Sequence, residues 1–444
     1  METGLLSAIE IVNKYEGVKG MGGKLKPKLI IVGWILLGIL GIFLLTIGLS
    51  SFMYNAFVNS RIKLKIMFSI IGVLLIIFSL RSATKSIMKV LKKNGVNGNI
   101  SKDEINQMLY RERFLSKGPK IVAIGGGTGL SILLRGLKEY TSNITAIVTV
   151  ADDGGGSGIL REDLGMLPPG DIRSCILALA NTEPTMEKVL QYRFKEGKLK
   201  GQSFGNLFIA AMNEIYGSFE VAIKETCNVL AVTGKVLPMT LENVKLYAVL
   251  ENGKIIEGES NIPLKNKELS SRIDHVYMEP KISYPLEEGI NAIKDADIII
   301  LGPGSLYTSV IPNLLVNNIV GHICDSNALK IYIPNVMTQP GETDDYTVLD
   351  HVNAIVKHSR KDILDFVIAN IEEIPKDVLE KYQEDGAKPV LISPEEEKIL
   401  KDMGIDVIKG NFIDIKKDYI RHDSLEISRI IVELSKEKRT KKAQ

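Results

Sequence analysis

The sequence is poor in residues that build disulfide frameworks, zinc sites and base-stacking surfaces. Its 444 residues include only 3 cysteines, 5 histidines and 6% aromatic residues. The cysteines, Cys175, Cys227 and Cys324, are far apart and form no C-x-x-C pair. This spacing excludes a disulfide framework and a cysteine-based zinc site, and indicates free thiols in a reducing compartment. The low aromatic content argues against nucleic acid as a partner.

The histidines also lack the spacing of a metal site. His351 and His358 stand seven residues apart, too far along a helix to chelate one ion without other ligands. No pairing of a nucleophile with a base is evident along the chain. We therefore name no catalytic residue from the sequence.

Two long apolar runs lie near the amino terminus. Residues 29–49 carry no charge and, at about 1.5 Å per residue, are long enough to span a bilayer core. Residues 66–80 are fewer, and reach across only if flanking lysines snorkel or the bilayer thins. A cleaved signal peptide fits less well, because the first run is too long and a second follows. We predict two transmembrane helices, about 29–50 and 64–80, with a single span as the alternative.

Basic residues set the predicted orientation. They are dense before the first apolar run and after the second, and sparse between them. By the positive-inside rule, both ends lie in the cytoplasm, and the protein is located in the cell membrane. The predicted organisation is a basic cytoplasmic tail, two transmembrane helices, a linker, a folded domain and a second basic tail, over residues 1–28, 29–91, 92–118, 119–434 and 435–444.

The folded domain alternates short apolar runs with amphipathic ones. The strand-like runs, such as "KIVAI", "ITAIVTV" and "DADIIIL", are continuously apolar, as in strands buried on both faces of a parallel sheet. This pattern predicts an α/β fold with a Rossmann-like, doubly wound and mostly parallel sheet. Asn252-Gly253 lies between two alternating segments and predicts an antiparallel hairpin excursion.

A glycine-rich loop follows the first predicted strand. The sequence GGGTG at 125–129 lets the backbone approach a ligand closely, and the amides of the following helix favour an anion. The loop is not a Walker A motif, and Leu130 replaces the last glycine of G-x-G-x-x-G. A purely structural tight turn is the alternative. The candidate phosphate-binding residues are Gly126, Gly127, Thr128 and Gly129.

Two adjacent aspartates, Asp152 and Asp153, follow the second predicted strand. An acid at this place in a dinucleotide-binding fold binds a ribose. Two carboxylates beside a phosphate loop can also hold Mg²⁺ through water. The glycines that come next predict a mobile closing loop. The alternative is that one of the two aspartates caps the next turn.

The remaining strand-end loops add amides, hydroxyls and acids. They supply Asp171, Asn206, Gly304, Ser305 and a polar run at 335–343. Asp171 occupies the expected N-cap position of a helix, and Arg173 is either a phosphate ligand or a surface residue. Asn206 either contacts a base or ribose or caps its helix. Together these loops suit a ligand with a diphosphate, a base and a sugar, because ligands bind at the carboxyl ends of parallel strands.

Long motifs carry a resemblance to a known family. "VAIGGGTG", "VTVADDGGGSG", "PPGDIR", "FGNL", "LGPGSLYTSVIPNLL" and "NVMTQPGETDDYT" resemble the YvcK family of gluconeogenesis factors. That family is a branch of the CofD-like group, named for 2-phospho-L-lactate transferase. The resemblance runs from Pro119 to about Val432 and implies a CofD-like Rossmann-type domain, with the apolar amino-terminal runs outside it.

The resemblance implies a nucleotide cleft with two known uses. The transferase branch moves a phospholactyl group from a nucleotide diphosphate donor to a deazaflavin precursor with Mg²⁺. The YvcK branch is associated with growth on gluconeogenic carbon sources and with cell shape, and binds UDP-sugars such as UDP-N-acetylglucosamine. Tyr382 and Arg421 resemble UDP-sugar contacts, since a tyrosine stacks on uracil and an arginine binds a diphosphate. The implied cleft residues are Gly126, Gly127, Thr128, Asp152, Asp153, Asp171, Asn206 and Ser305.

The loop after the second strand departs from the family pattern D-D-G-G-S-S-G-R-L-R. Gly156 replaces a serine and Ile159 an arginine, while Arg161 remains. The loss of a hydroxyl and a positive charge weakens the case for catalysis. We therefore expect a membrane-anchored, UDP-N-acetylglucosamine-binding regulator, with a Mg-dependent 2-phospho-L-lactate transferase-like enzyme as the alternative.

Partners and cofactors follow from that expectation. The ligand is a UDP-sugar or another nucleotide diphosphate, and the expected protein partners are cell-envelope or morphogenesis proteins and a second copy of the chain. Mg²⁺ at Asp152 and Asp153 is the only cofactor considered. A dinucleotide oxidoreductase is disfavoured because the fingerprint glycine is missing.

Overall fold

The computed structural model describes residues 27–54, 62–93, 114–181, 184–416 and 419–443. The chain divides into two compact units, Met1–Met108 and Leu109–Gln444. The predicted amino-terminal tail, apart from its last two residues, and most of the predicted linker lie outside the described residues.

Two helices make up the described part of the first unit. They are α1 (Pro27–Tyr54) and α2 (Ile62–Lys93). They pack antiparallel through small residues: a Cβ atom built on Gly72 would lie 2.7 Å from the carbonyl oxygen of Gly41. Farther along, the hydroxyl of Ser79 donates a 2.6 Å hydrogen bond to the carbonyl of Trp34. Glycine and serine thus let the two backbones approach closely.

Apolar side chains project from these two helices into solvent. Leu36, Phe43 and Leu74 are 60%, 60% and 59% exposed. Within the residues that the structure describes, no helix is both long and apolar enough to cross a membrane. The structure therefore does not support the two predicted spans, about 29–50 and 64–80, and they stay a prediction from the sequence.

The strands of the second unit are short and rich in isoleucine and valine, which suits burial in a sheet. In chain order they are β1 (Ile121–Gly125), β2 (Ile144–Val148), β3 (Lys235–Pro238), β4 (Lys245–Leu250), β5 (Ile255–Glu257), β6 (Ile273–Glu279), β7 (Ile298–Leu301), β8 (Leu329–Tyr332), β9 (Phe366–Asn370), β10 (Asp406–Gly410), β11 (Ile413–Lys416) and β12 (Tyr419–His422).

Helices connect most of these strands. They are α3 (Gly127–Leu137), α4 (Gly155–Leu164), α5 (Gly170–Leu179), α6 (Pro184–Gln191), α7 (Phe204–Tyr216), α8 (Phe219–Val229), α9 (Asn261–Leu269), α10 (Glu287–Asp295), α11 (Ile311–Leu314), α12 (Ile319–Asp325), α13 (Val348–Lys357), α14 (Lys376–Glu384), α15 (Pro394–Asp402) and α16 (Ser424–Ala443). A π-helical turn, Leu306–Val310, leads into α11.

The main sheet has seven strands in the order β10-β9-β8-β7-β1-β2-β3. All its pairings are parallel, which confirms the predicted Rossmann-like, mostly parallel sheet. The chain builds β2 and β3 on one side of β1, then returns to place β7 on the other. The direction of winding therefore reverses between β1 and β7, and the loops that follow these two strands flank a crevice.

An antiparallel insert interrupts the parallel sheet between β3 and β7. Its sheet has the order β5-β4-β6, and Gly253, with φ of +80°, makes the turn between β4 and β5. This confirms the hairpin predicted at Asn252-Gly253. The insert continues from β5 into α9. A second antiparallel pair, β11 and β12, follows β10.

The carboxyl-terminal helix α16 packs on α3. Gly136 of α3 faces the carbonyl of Ser424 so closely that a side chain there would overlap it. The predicted basic tail begins within this helix, and Ser435 is 3% exposed. All three cysteines are free.

Candidate functional site

Two glycine loops meet at the point where the winding of the chain reverses, between β1 and β7. A Cβ atom on Gly129 would lie 2.8 Å from the carbonyl oxygen of Pro303, and one on Gly304 would lie 3.2 Å from the carbonyl oxygen of Gly126. Gly127 has a φ of +66°, which favours glycine because side chains are strained there. The structure thus brings together the candidate residues Gly126–Gly129 with Gly304 and Ser305.

Helix α3 begins directly at this loop. Its N-cap residue, Gly126, has extended backbone and no side chain that could cap the helix. The first-turn amides of a helix have no partners within the helix. Apart from the amide of Gly127, which donates to Asp171, they therefore offer donors, at the positive end of the helix dipole, to a ligand placed over the loop.

Asp171 lies against the first glycine loop rather than at the cap of its own helix. A Cβ atom on Gly126 would come 2.5 Å from its carboxylate Oδ2, and the amide of Gly127 donates to it. Helix α5 has Pro169 at its N-cap, so the predicted capping role of Asp171 is wrong. Burial, reinforced by the charge of Asp152, raises the pKa of Asp171 to about 7.

The two adjacent aspartates have different partners. Asp152 accepts a 2.9 Å hydrogen bond from the amide of Gly154, the local turn contact that the alternative interpretation predicted. Burial raises its pKa, although hydrogen bonds from Gly154 and Ser157 oppose the rise. Asp153 instead accepts from the amides of Glu259 and Ser260, at 3.0 and 2.9 Å. Both carboxylate oxygens of Asp153 therefore bind the backbone of the antiparallel insert.

Two glutamates complete an acidic wall of the crevice. Glu342 is 5% exposed and accepts hydrogen bonds from Thr308, and burial raises its pKa to about 7. Burial, followed by the charges of Asp152 and Glu342, raises the pKa of Glu259 to about 9. Sequence reasoning missed Glu259, because it lies 106 residues after Asp153 in a segment with no recognisable motif.

The carboxyl groups do not form a metal site. Within the described part of the chain, no group of three or more His, Cys, Asp or Glu side chains is arranged to hold a metal ion. Asp153 has both oxygens committed to backbone amides. The residues present therefore do not fit the Mg²⁺ predicted at Asp152 and Asp153.

Amide and hydroxyl groups line the neighbouring strand ends. Gln339, after β8, donates a 2.6 Å hydrogen bond to Ser305, after β7, and accepts one from Asn335. Asn206 is 3% exposed, and its side-chain oxygen has no partner among the described residues. Ser203, rather than Asn206, caps α7. Asn206 is thus left with an acceptor for a ligand.

Arg173 packs against the start of α7. Its guanidinium donates to the hydroxyl of Ser203, and burial lowers its pKa. A side chain on Gly205 would collide with the arginine, with a Cβ atom 2.7 Å from its Cδ. Arg173 is therefore a half-buried positive charge within the fold rather than a free surface residue.

One hydrogen bond holds the side chain of Tyr382 against the strand that carries Arg421. The hydroxyl of Tyr382, on α14, accepts a 2.9 Å hydrogen bond from Ile420 of β12, the residue before Arg421. Arg421 is exposed and stands opposite Asp414 in the β11–β12 hairpin. The hairpin also contacts α3, the helix that begins at the glycine loop. The hairpin therefore links α14 to α3.

Residues 121–413 match the family described as 2-phospho-L-lactate transferase CofD. The chain belongs to the CofD family. It is 48% identical to the gluconeogenesis factor of Bacillus subtilis, over 73% of this chain and 100% of that protein. It is 50% identical to a provisionally named gluconeogenesis factor of Clostridium acetobutylicum, over 94% of this chain and 92% of that protein. The predicted place in the gluconeogenesis-factor branch is confirmed.

A solved structure has the same fold. The crystal structure of a UPF0052-family protein from Bacillus halodurans superposes with a TM-score of 0.67 at 46% identity. It covers 71% of this chain and 99% of that one. The Clostridium relative, matched over 94% of this chain, extends well into the amino-terminal unit. The family domain and the amino-terminal helices are thus separable parts of the sequence.

The buried Glu342 predicts a pH-dependent effect on stability. Its raised pKa means that the folded state resists ionisation, so its contribution is present below about pH 4.5 and is lost as the pH rises through about 7. Glu342→Gln should therefore gain stability relative to the wild type between pH 5 and pH 8.5, by at most roughly 3 kcal/mol. Thermal denaturation of ligand-free protein measures this difference. The exposed Glu268→Gln is the control, and an equal pH response in both variants would contradict the prediction.

Proposed function

We propose that this chain is a UDP-sugar-binding regulatory factor, with UDP-N-acetylglucosamine as its ligand, required for growth and cell shape on gluconeogenic carbon sources. The observation that carries the proposal is the meeting of two glycine loops at the amino terminus of α3, where the N-cap glycine has no side chain. Such a terminus suits a diphosphate. The proposal extends the family membership by naming the ligand and the role.

The second support is the hairpin that carries Arg421. Tyr382 holds this hairpin by its hydroxyl, and its ring is half-buried. In the proposed complex, the ring stacks on uracil and the exposed guanidinium of Arg421 binds phosphate oxygens with two hydrogen bonds. Binding by these two residues joins α14 and β12 to the glycine loop, so ligand occupancy can be sensed across the domain.

The proposal favours regulation over catalysis for two reasons. Transfer by a CofD-type mechanism uses a divalent cation, and the carboxyl groups of this crevice do not fit one. In addition, the loop at 154–161 lacks a serine and an arginine of the family pattern. A binding protein needs neither, since loop amides and Arg421 suffice to hold a diphosphate.

A transferase is the second candidate, and Asp171 favours it. Its pKa of about 7 and its contact with Gly127 place a carboxyl group that can accept a proton beside the phosphate loop. In the transferase reading, the acceptor hydroxyl attacks the phosphorus of the phospholactyl group, Asp171 accepts the hydroxyl proton, and the bond to the nucleotide breaks so that a nucleoside monophosphate leaves. Turnover of a deazaflavin acceptor with a nucleotide diphosphate donor would support this candidate over the first.

We also propose that α1 and α2 anchor the protein in the cell membrane, with both termini in the cytoplasm and with cell-envelope or morphogenesis proteins as partners. Their exposed leucine and phenylalanine side chains and the flanking lysines support this. Fractionated cells should yield the chain in the membrane pellet, released by detergent and not by high salt. Recovery in the soluble fraction without detergent would contradict the anchor.

Calorimetry tests the ligand and its contacts. Full-length protein should bind UDP-N-acetylglucosamine with micromolar affinity, about −8 kcal/mol, with little change when Mg²⁺ is omitted. Arg421→Ala and Tyr382→Ala should each weaken binding at least tenfold, because each removes a direct contact. Arg360→Ala is the control, since this exposed arginine precedes β9 and lies at the opposite edge of the sheet. Strict dependence on Mg²⁺ would instead favour the transferase.

Gly165 serves as a matched control for the backbone strain that a side chain at Gly127 would cause. Gly127 and Gly165 have nearly the same φ, +66° and +63°, and an added Cβ atom has space at both. Gly127→Ala and Gly165→Ala should each lose roughly 1–2 kcal/mol of stability, because both residues are left-handed. Only Gly127→Ala should lose ligand affinity, by tenfold or more in the same calorimetry. Equal binding by both variants would make the loop purely structural.

A further inference from the structure

Three polar side chains beside the second glycine loop form a hydrogen-bonded chain. The amide nitrogen Nδ2 of Asn335 donates a 2.9 Å hydrogen bond to Oε1 of Gln339. The amide nitrogen Nε2 of Gln339 donates in turn to the hydroxyl of Ser305, at 2.6 Å. All three residues are half-buried. Donation therefore runs in one direction, from the loop after β8 to the loop after β7, and ends on Ser305.

The backbone is fixed on both sides of the bond between Gln339 and Ser305. The amide of Gln339 donates to the hydroxyl of Thr343 at 2.9 Å. The carbonyl of Ser305 accepts from the amides of Ser309 and Val310, at 2.8 and 3.0 Å. Two folded loops, rather than mobile side chains alone, thus set the distance between the glutamine and the serine.

The hydroxyl of Ser305 is not used by its own helical turn. Ser305 is the N-cap residue of the π-helical turn Leu306–Val310, yet its side chain makes no capping hydrogen bond, which is the ordinary role of a serine there. A hydroxyl has two acceptor lone pairs and one proton to donate. Among the residues that the structure describes, its one partner is Gln339, which occupies a lone pair. The hydroxyl proton is therefore left for a ligand.

Ser305 lies next to the contact between the two glycine loops. It directly follows Gly304, where an added Cβ atom would lie 3.2 Å from the carbonyl oxygen of Gly126. One turn farther on, the hydroxyl oxygen of Ser309 lies 3.8 Å from the Cβ position of Gly127. The proposed diphosphate lies over the same loops. A hydroxyl proton there suits a phosphoryl oxygen, because hydrogen bonds to an ionised acceptor are the stronger ones.

We propose that Gln339 is a positioning residue: its amide, oriented by Asn335, occupies an acceptor position of Ser305, so that Ser305 donates its hydroxyl proton to a phosphoryl oxygen of the bound nucleotide diphosphate. The loop after β8 thereby takes part in phosphate binding without touching the phosphate. With the opposite polarity, the carbonyl of Gln339 would face Ser305 and draw the proton away from the ligand. The ligand half of this inference rests on the proposed function, while the contact between Gln339 and Ser305 does not.

A double-mutant cycle on ligand affinity tests the positioning role. In calorimetry of the full-length protein with UDP-N-acetylglucosamine, Ser305→Ala should weaken binding at least tenfold and Gln339→Leu at least fivefold. In the Ser305→Ala background, Gln339→Leu should add less than a twofold loss, because Gln339 acts through the hydroxyl. Losses that multiply in the double variant would show a separate role for Gln339 and would overturn the inference.

Gln191→Leu is the matched control. Gln191 is an exposed glutamine of α6 whose amide also donates one side-chain hydrogen bond, to Glu187. The variant makes the same chemical change and should leave the affinity unchanged within twofold. An equal loss of affinity in Gln191→Leu and Gln339→Leu would contradict a specific role for Gln339.

Asn335→Asp tests the polarity of the chain without changing either of the other two residues. A carboxylate only accepts, so the amide of Gln339 should turn its nitrogen toward residue 335 and its carbonyl toward Ser305. The loss of affinity should be at least fivefold greater with Ser305 present than in the Ser305→Ala background. The added charge acts in both backgrounds, whereas the hydroxyl exists in only one. Equal losses in the two backgrounds would overturn the proposed polarity.

Thermal denaturation without ligand separates this inference from the proposed function. The losses in melting temperature from Gln339→Leu and Ser305→Ala should sum to more than the loss in the double variant, because each removes the same hydrogen bond. Additive losses would overturn the contact whatever the ligand. Non-additive losses with no UDP-sugar binding by any protein, the wild type included, would overturn the proposed function and the ligand half, and would still support the contact.

Discussion

The backbone contact between the loops after β1 and β7 is the constraint on which the rest of the site depends. Gly129 meets Pro303 at a distance that leaves no room for a side chain, and Gly304 meets Gly126 so closely that an added Cβ atom would be tightly confined. This contact lies where the winding of the chain reverses, between β1 and β7, so the crevice above it opens onto the amino terminus of α3. In the proposed complex, anion binding follows from backbone geometry rather than from any one side chain.

The acidic wall is the second consequence of this arrangement. Burial, reinforced by the charges of neighbouring acids, raises the pKa values of Asp171, Glu342 and Glu259, so these carboxyl groups hold protons near neutral pH. Protonated carboxyl groups can face a diphosphate, whereas ionised ones repel it.

Much of the fold was predictable because its signals are local. Continuous apolar runs such as Ile298–Leu301 indicate buried parallel strands, and Asn252-Gly253 indicates a hairpin. The glycine loops and Asp152 could be located for the same reason, since strand, glycine turn and helix are consecutive in the chain. The predicted membrane spans have no comparable support from the described residues.

The sequence by itself determined the alternation of strands and helices, the glycine loops and the family, because each depends on neighbouring residues or on motif order. Only the tertiary structure decided the roles of the acids. Identical neighbours in the chain, Asp152 and Asp153, turn to different partners, and Glu259 joins the crevice from a remote insert. Burial, long-range hydrogen bonds and shared electrostatics set these roles, and none of them is encoded in local spacing.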